Sequence, residues 1–263
     1  MAQVHASAIV DAAAELAPDV QVGAFSIIGP GVRVGGGTSI GSHVVLSGNT
    51  TIGRDNRIFP FCSIGTEPQD KKYAGEATSL EIGDGNMIRE YCLINTGTVQ
   101  GGATTRVGSD NWIMAYAHIG HDCQVGDSTI IANGVQLGGH VKVGDWAFIA
   151  GTSAVHQFVR VGAHAMCGGG TMLQHDLPPY MIAFGFPAKD YGVHLEGLRR
   201  RNFPAAQIAA LRHAHQLIYR QGLPLTEARA ALDKYIAEQP EDVAGPLREL
   251  ARFLAETGRG IVR

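Results

Sequence analysis

Aliphatic side chains recur at every sixth position over the first two thirds of the chain. A period of six fits neither the 3.6-residue repeat of a helix nor the two-residue alternation of an ordinary strand. It predicts a chain that turns a corner every six residues and points one aliphatic side chain per face into a triangular core, which is a parallel β-helix of the hexapeptide type. Gly often follows the aliphatic residue, as at Gly23, Gly35 and Gly144, and we expect it to supply backbone freedom at the corner. The series comprises Val4, Val10, Leu16, Val22, Ile28, Val34, Ile40, Leu46, Ile52, Ile58, Ile64, Ile82, Ile88, Ile94, Val107, Ile113, Ile119, Val125, Ile131, Leu137, Val143, Ile149, Val155, Val161, Cys167 and Leu173.

A second position, four residues after each aliphatic residue, is mostly small. This spacing predicts a second inward-facing site beside the large one, occupied for example by Ser26, Cys62, Cys92 and Cys123. The four cysteines, which include Cys167, are widely spaced and form no CxxC pair, which argues against a zinc ribbon or a secreted disulfide framework. We therefore expect reduced cysteines that pack as small buried side chains.

Two polar segments, residues 65–81 and 95–106, interrupt the repeat. Loops that project from a rigid scaffold often carry binding residues, so both are candidate sites. The hexads fail after Leu173, and beyond Pro187 the sequence pattern is helical. We expect a β-helix over residues 1–187 and a C-terminal helical domain over residues 188–263.

Three helices are predicted in this C-terminal part. The first begins at Pro204 and ends at Tyr219. Thr226 caps the second, which has Glu227 in its first turn and ends near Gln239, and the third covers about residues 243–257. Residues 188–263 carry a small excess of basic over acidic side chains, so they are a candidate surface for an acidic partner.

Composition and charge narrow the classes of function. The 263 residues are 45% apolar and 17% charged with a formal net charge of -3, which excludes a disordered or collagen-like chain. The sequence contains no basic stripe with interleaved aromatic residues, which argues against nucleic-acid binding. No apolar run is long enough for membrane insertion, and the N-terminal residues lack the features of a signal peptide. We therefore expect a soluble, cytoplasmic protein.

Histidines cluster at one point of the predicted coil. If one coil is 18 residues long, His121 stacks beneath Gly139 and then Gln157, while Asp122 stacks beneath His140. His156 projects from the neighbouring column. An imidazole oriented by a carboxylate can remove a proton from an attacking hydroxyl or amine, and a backbone N–H can stabilise the oxyanion. His121, Asp122 and Gly139 are the candidates for these three roles in acyl transfer.

Two other interpretations stay open on the residues alone. His118 and His121, with His140 or His156 from a neighbouring chain, form a candidate zinc site like that of the γ-class carbonic anhydrases. The long helical tail argues against that enzyme. A purely structural β-helix would need neither the polar loops nor the histidine cluster.

The ordered set of motifs resembles a known family over the whole chain. The motifs are PQDKKYAGE at 68–76, GTVQGG at 97–102, IGHDC at 119–123, AVHQF at 154–158, GAHAM at 162–166 and GVHLEGLRRRNF at 192–203. Together with a helical tail they resemble the bacterial UDP-N-acetylglucosamine O-acyltransferases, which catalyse the first step of lipid A synthesis. The related N-acyltransferase has a further N-terminal domain, for which the hexads that begin at Val4 leave no space.

The resemblance implies a left-handed β-helix, a cytoplasmic homotrimer and active sites between subunits. It implies transfer of an (R)-3-hydroxyacyl chain from acyl carrier protein to the 3-position of UDP-N-acetylglucosamine, with no metal or other cofactor beyond the phosphopantetheine of the donor. His121 matches the catalytic base, Asp122 its orienting partner and Gly139 the oxyanion donor. The matched substrate-binding positions are Gln69, Asp70, Lys72, His118, His140, His156, Gln157, His194, Glu196, Arg200 and Arg201.

Two further sets of positions bear on specificity. Met166 and Gly169 match the region that limits acyl length. Gly169 leaves more room than a bulky residue, which predicts a long acyl chain, and the resemblance implies a chain of about fourteen carbons. Asn95 stands where the family has His, and His194 stands where it has Asn. The change at Asn95 leaves open an acceptor with an amine at the 3-position, which would yield an amide.

Overall fold

Short parallel strands form the three faces of a triangular prism. The computed structural model describes residues 2–263, and the left-handed parallel β-helix is confirmed. Strands are numbered in chain order. Sheet A contains β1 (Gln3–Val4), β4 (Gln21–Val22), β7 (Ser39–Ile40), β10 (Arg57–Ile58), β13 (Met87–Ile88), β16 (Trp112–Ile113), β19 (Ile130–Ile131), β22 (Phe148–Ile149), β25 (Met166–Cys167), β27 (Met181–Phe184) and β28 (Lys189–Val193).

The other two faces have the same construction. Sheet B contains β2 (Ile9–Val10), β5 (Ile27–Ile28), β8 (Val45–Leu46), β11 (Ser63–Thr66), β14 (Leu93–Asn95), β17 (His118–Ile119), β20 (Gln136–Leu137), β23 (Ala154–Val155) and β26 (Met172–Leu173). Sheet C contains β3 (Glu15–Leu16), β6 (Arg33–Val34), β9 (Asn49–Ile52), β12 (Ser79–Ile82), β15 (Thr104–Val107), β18 (Gln124–Val125), β21 (Lys142–Val143) and β24 (Arg160–Val161). The turns that join the faces are called here the A–B, B–C and C–A corners.

One coil advances the chain by 18 residues where no loop intervenes. In sheet B, His118 pairs with Gln136, and Gln136 pairs with Ala154. The aliphatic series fills the core from Val22 onward, as Ile64 and Ile119 illustrate with no exposed surface, whereas Val4 in the first coil is 41% exposed. Side chains at the same register therefore stack from coil to coil, as the sequence predicts.

The second inward-facing position is also confirmed. Ser26, Cys62, Cys92 and Cys123 are buried beside the large aliphatic side chains. All four cysteines, including Cys167, are free and buried, which agrees with the prediction that they pack as small side chains.

The glycines that follow the aliphatic residues have a different purpose from the one predicted. Gly23, Gly35 and Gly144 do not adopt a left-handed backbone conformation. A Cβ atom at Gly23 would lie 2.6 Å from the carbonyl carbon of Gly41 in the next coil, so close approach of two backbones excludes a side chain. The left-handed position lies two residues later and is filled mostly by non-glycine residues, among them Asp122 (φ 60°) and His140 (φ 62°), and in some coils by glycine, as at Gly37 (φ 73°).

The C-terminal part begins with a strand, β28, rather than with a helix. β27 continues sheet A and β28 pairs with it in antiparallel fashion, so the segment after Pro187 is not helical throughout as predicted. Four helices follow: α1 (Leu195–Arg200), α2 (Ala205–Tyr219), α3 (Leu225–Ala237) and α4 (Glu241–Ala255). Among residues 2–263, no helix combines the length and apolar character needed to cross a bilayer.

The predicted helix ends are partly wrong. Thr226 is not the N-cap of α3, because the helix has already begun at Leu225 and Pro224 occupies the cap with φ -52° and ψ 150°. Proline also occupies the N-caps of α2 and α4, at Pro204 and Pro240. Glu227 lies in the first turn of α3, as predicted. The negative charge of Glu227 interacts favourably with the positive N-terminal end of the helix dipole.

Candidate active site

The central histidine and its acidic neighbour lie at the B–C corner between β17 and β18. The backbone N–H of His140 donates to the carbonyl of His121 at 2.9 Å, and the N–H of Phe158 donates to the carbonyl of Gly139 at 3.0 Å. The rings of His140 and Phe158 stack with centroids 4.3 Å apart. These contacts bring residues of three successive coils into one column at this corner.

The Asp122 carboxylate is buried and accepts three hydrogen bonds. Its Oδ1 accepts the Thr98 backbone N–H at 2.8 Å, and its Oδ2 accepts the Thr98 hydroxyl at 2.7 Å and His121 Nδ1–H at 2.8 Å. The Asp122 backbone N–H donates to Thr105 Oγ1 at 2.8 Å. The left-handed φ at Asp122 turns its side chain back under the loop of residues 95–106. The carboxylate therefore has one orientation.

His121 carries its available lone pair on Nε2. An ionised carboxylate only accepts hydrogen bonds, so the proton on the His121 imidazole lies on Nδ1, facing Asp122. The side chain of His121 is 12% exposed, so its outer edge reaches solvent or substrate. A Cβ atom at Gly139 would lie 2.4 Å from Cε1 and 2.5 Å from Nε2 of His121. The imidazole is therefore held between the carboxylate and the backbone of the next coil.

Gly139 offers a backbone donor beside this lone pair. Within residues 2–263, its N–H donates to no protein acceptor, whereas the neighbouring N–H groups of Gly138 and His140 are both bonded. A free N–H next to a general base has the arrangement needed to stabilise a developing oxyanion.

His118 lies on the outer face of sheet B and is hydrogen-bonded to Asn95, the position at which the family resemblance leads us to expect His. His118 Nε2–H donates to Asn95 Oδ1 at 3.0 Å, and Asn95 Nδ2–H donates to the carbonyl of Glu67 at 2.8 Å. Asn95 is buried, and these two bonds join His118 to residues 65–81, called here the first loop. Burial, and then the nearby charge of His121, lowers the pKa of His118. His118 is therefore a neutral donor in this network.

His140 faces the same carboxylate from the next coil. Its Nε2 is 3.6 Å from Asp122 Oδ2, which is too long for a hydrogen bond. Burial lowers the pKa of His140, and the charges of Asp122 and Asp70 oppose this effect. Asp70 in the first loop thus lies near the histidine cluster.

The side chains of one chain that could surround an ion differ from the set of the zinc site predicted as an alternative. Within residues 2–263, one group of three ligand atoms could surround an ion, and it consists of His121, Asp122 and His140. His121 Nδ1 already bonds the carboxylate directly at 2.8 Å, and Thr98 occupies both carboxylate oxygens. His118 is bound to Asn95 instead. These donors serve to orient an imidazole.

The remaining predicted residues near this corner are exposed. His156 Nδ1–H donates to the carbonyl of Gln157 at 3.0 Å, and both side chains point to solvent at the next coil. In the first loop, Gln69 and Lys72 are exposed, and Asp70 Oδ1 accepts the backbone N–H of Lys72 at 2.9 Å. They are free to contact a ligand.

The predicted nucleotide contacts lie at a different corner of the prism. Arg201 donates to the carbonyl of Trp146 at 2.8 Å, and Trp146 is at the C–A corner. Glu196 and Arg200 pair with each other on the exposed face of α1 at 2.9 Å. His194 is buried, and its Nδ1–H donates to the carbonyl of His164. A single chain therefore does not bring these residues to His121.

Gly169 and Met166 flank the A–B corner three coils above the coil that contains His121. A Cβ atom at Gly169 would meet only the carbonyl oxygen of Gly151, at an ordinary 3.6 Å. Larger side chains there would project outward instead of into the core. The position leaves open space along the outer surface, and its part in limiting acyl length stays a prediction.

Sequence reasoning missed the loop residues that hold Asp122. Asp122 is contacted by Thr98, Gly101 and Thr105 of residues 95–106. The sequence predicted this loop as a candidate site but no single residue within it. The polar composition of the loop indicates a binding segment. It does not indicate which residues contact Asp122, because those contacts depend on how the loop folds over the B–C corner.

A hexapeptide-repeat prism with a carboxylate-oriented histidine at one corner defines the class of protein as a hexapeptide-repeat transferase. In agreement, a family model described as "Bacterial transferase hexapeptide (six repeats)" matches residues 104–139. A second, described as "Udp N-acetylglucosamine O-acyltransferase; Domain 2", matches residues 176–262.

Relatives narrow the class to one family. Acyl-[acyl-carrier-protein]--UDP-N-acetylglucosamine O-acyltransferases from Cupriavidus taiwanensis and Paracidovorax citrulli are 58% and 56% identical to this chain, each covering 100% of both chains. The structure of LpxA from Acinetobacter baumannii superposes with a TM-score of 0.94 at 43% identity, covering 99% of each chain. That of the Moraxella catarrhalis enzyme gives 0.95 at 42% identity and the same coverage. The chain belongs to the UDP-N-acetylglucosamine O-acyltransferase family and is an acyltransferase.

Proposed function

We propose that this acyltransferase moves an (R)-3-hydroxyacyl chain from acyl carrier protein to the 3-hydroxyl of UDP-N-acetylglucosamine, in the first step of lipid A synthesis. The observation that carries the mechanism is the His121 imidazole, which has Nδ1–H on Asp122 and Nε2 beside Gly139. The names of the related O-acyltransferases support the two substrates. Four free cysteines fit a reducing compartment, and we assign the protein to the cytoplasm.

The reaction follows from this geometry. His121 Nε2 removes the proton of the sugar 3-hydroxyl as its oxygen attacks the thioester carbonyl carbon. The Gly139 N–H stabilises the resulting oxyanion. When the tetrahedral intermediate collapses, the carbon–sulfur bond breaks and the His121 imidazolium returns the proton to the leaving thiolate. Asp122 stabilises that imidazolium throughout, so no covalent acyl-enzyme and no cofactor other than the donor's phosphopantetheine is required.

The surrounding polar residues bind the substrates. Positions next to His121 in the column and in the first loop are accessible, and we assign them to the sugar and to the acyl donor: Gln69, Asp70, Lys72, His118, His140, His156 and Gln157. Met166 and Gly169 limit the length of the acyl chain. They flank the A–B corner next to sheet B, the same sheet whose outer face carries His118.

A homotrimer completes the site. His121 belongs to the B–C corner, whereas Arg201 and Trp146 belong to the C–A corner, and β21 separates the two corners in one chain. Three-fold symmetry can set one corner of a subunit against another corner of its neighbour. We assign His194, Glu196, Arg200 and Arg201 to the nucleotide of the substrate bound at the neighbour's His121, since Arg pairs well with phosphate.

Mixing two inactive variants tests the shared site. His121→Ala and Arg201→Ala each lose most activity alone, but a co-refolded equimolar mixture forms some interfaces that contain both intact residues. Random assembly predicts recovery of about one quarter of wild-type activity. A mixture no more active than its components contradicts a site shared between subunits.

A second acceptor is favoured by one observation. In this chain Asn95, and not the His expected from the family resemblance, accepts the His118 Nε2–H beside the proposed sugar site. The 3-amino analogue of UDP-N-acetylglucosamine would then be the acceptor and the product an amide. An amine attacks by the same proton transfer to His121 Nε2, so the catalytic residues are unchanged.

The two acceptors are compared with one purified protein. (R)-3-hydroxymyristoyl carrier protein is supplied with each sugar nucleotide in turn, and the products are separated by mass spectrometry. Transfer to the 3-hydroxy sugar supports the ester-forming enzyme, and a higher kcat/KM on the amine supports the amide-forming one. Transfer to neither sugar contradicts the proposed function.

A further inference from the structure

The orientation of Asp122 depends on a loop that the proposed mechanism does not otherwise use. Thr98 lies 24 residues before Asp122 in sequence, yet it supplies two of the three donors that reach the carboxylate. The third donor is His121 itself. Thr98 therefore fixes the orientation of the Asp122 carboxylate, and the carboxylate in turn orients the His121 imidazole.

The loop also closes directly over the carboxylate. A Cβ atom at Gly101 would lie 2.1 Å from Cγ of Asp122, so only glycine allows the backbone to lie there. Gly101 ends a short 3-10 helix, Val99–Gly101, that starts immediately after Thr98. The side chain of Asp122 has no exposed surface beneath this turn. Thr98 thus replaces the water that an exposed carboxylate would bind.

From these contacts we propose that Thr98 is a positioning residue of the acyl transfer. It acts through Asp122 and does not touch the reacting atoms. This inference rests on the proposed function, in which His121 is the base and Asp122 orients it.

The physical reason is the shared oxygen. Asp122 Oδ2 accepts both the Thr98 hydroxyl and His121 Nδ1–H, so rotation of the carboxylate away from His121 would also break its bond to Thr98. A hydrogen bond to a charged group is stronger than a neutral one, and leaving a buried carboxylate oxygen short of a donor is unfavourable. Without the hydroxyl, the carboxylate turns towards other donors and holds the imidazole less often in the reactive orientation.

Three single variants separate positioning from folding. Thr98→Val removes the hydroxyl and keeps the shape, and Thr98→Ser keeps the hydroxyl. Thr96→Val is the matched control, because Thr96 is equally buried in the same loop and its Oγ1 contacts Thr78 and the carbonyl of Thr66 instead of Asp122. All three are compared with wild type by kcat, by KM for both substrates and by melting temperature.

We expect Thr98→Val to lower kcat about 10-fold with both KM values unchanged, as for other residues that orient a functional histidine. Thr98→Ser restores most of the rate, and Thr96→Val keeps the wild-type kcat even if its melting temperature falls. A rate loss in Thr96→Val as large as in Thr98→Val, or no rescue by serine, means that the loop acts only through stability and overturns the inference.

A double-mutant cycle shows whether Thr98 acts through Asp122. In the Asp122→Ala background the Thr98→Val change has nothing left to orient, and we expect it to alter kcat by less than about 2-fold. A full 10-fold loss in that background contradicts the inference. If instead Asp122→Ala itself leaves kcat unchanged, the proposed His121–Asp122 pair fails, which is a separate result.

Discussion

Replacing Gly139 with alanine displaces the proposed base without removing any catalytic atom. The new Cβ would lie 2.4 Å from Cε1 and 2.5 Å from Nε2 of His121, and these carbon and nitrogen atoms need at least 3.4 Å for ordinary contact. The imidazole must therefore move by about 1 Å, which also stretches its 2.8 Å bond to Asp122. The backbone N–H of residue 139 is kept.

The size of the effect follows from that displacement. A shift of about 1 Å in a catalytic group lowers the rate on the order of 100-fold. This corresponds to about 2.7 kcal/mol of lost transition-state stabilisation. Because Gly139 is partly exposed and the methyl group meets a side chain and not the backbone core, we expect little change in folding stability.

The assay measures kcat/KM for acyl transfer by wild type, Gly139→Ala and the control Gly36→Ala. Gly36 has the same place in its hexad, but a Cβ there would meet only the tip of the Asp19 side chain, which can move aside. We expect the control to keep wild-type activity. Gly139→Ala with activity within 2-fold of wild type would refute the position of His121 as the base.

Two further predictions concern specificity and pH. Gly169→Met should shorten the preferred acyl chain in competition between donors of different length, because its side chain fills the open space at the A–B corner; unchanged selectivity removes Gly169 from the limit on length. Burial, and then the charges of Arg201 and His194, lowers the pKa of His164 to about 4. The unfolded histidine binds a proton below about 6.5, so the folded state loses stability as pH falls from about 6.5 towards 4. His164→Phe should reduce this loss in urea unfolding at pH 7 and pH 5; an equal loss in the variant contradicts the assignment.

The sequence was most informative where the structure is periodic. The six-residue repeat predicts three faces, and its 18-residue coil places Gly139 on His121 and His140 on Asp122, because stacked coils must keep register to bury their aliphatic side chains. The same regularity predicts the buried cysteines. Each of these features repeats along the chain, so one rule determines all of them.

Features set by close contacts between distant segments could not be predicted in the same way. The hexad glycines avoid a clash with the next coil, which a one-dimensional pattern does not distinguish from conformational freedom. Thr98 reaches Asp122 only because its loop folds over the B–C corner. The hairpin of β27 and β28 lies where the hexads have already ended, so no repeat marks it.

The most direct test of the account is acyl transfer by His121→Ala in the assembled enzyme, with a chelator present throughout. General-base catalysis contributes about 10² to 10⁴ in rate, and we expect a loss in kcat within that range while KM for both substrates stays near wild type and the wild-type rate is insensitive to the chelator. A His121→Ala enzyme that retains wild-type kcat would contradict the central claim that this imidazole removes the acceptor's proton.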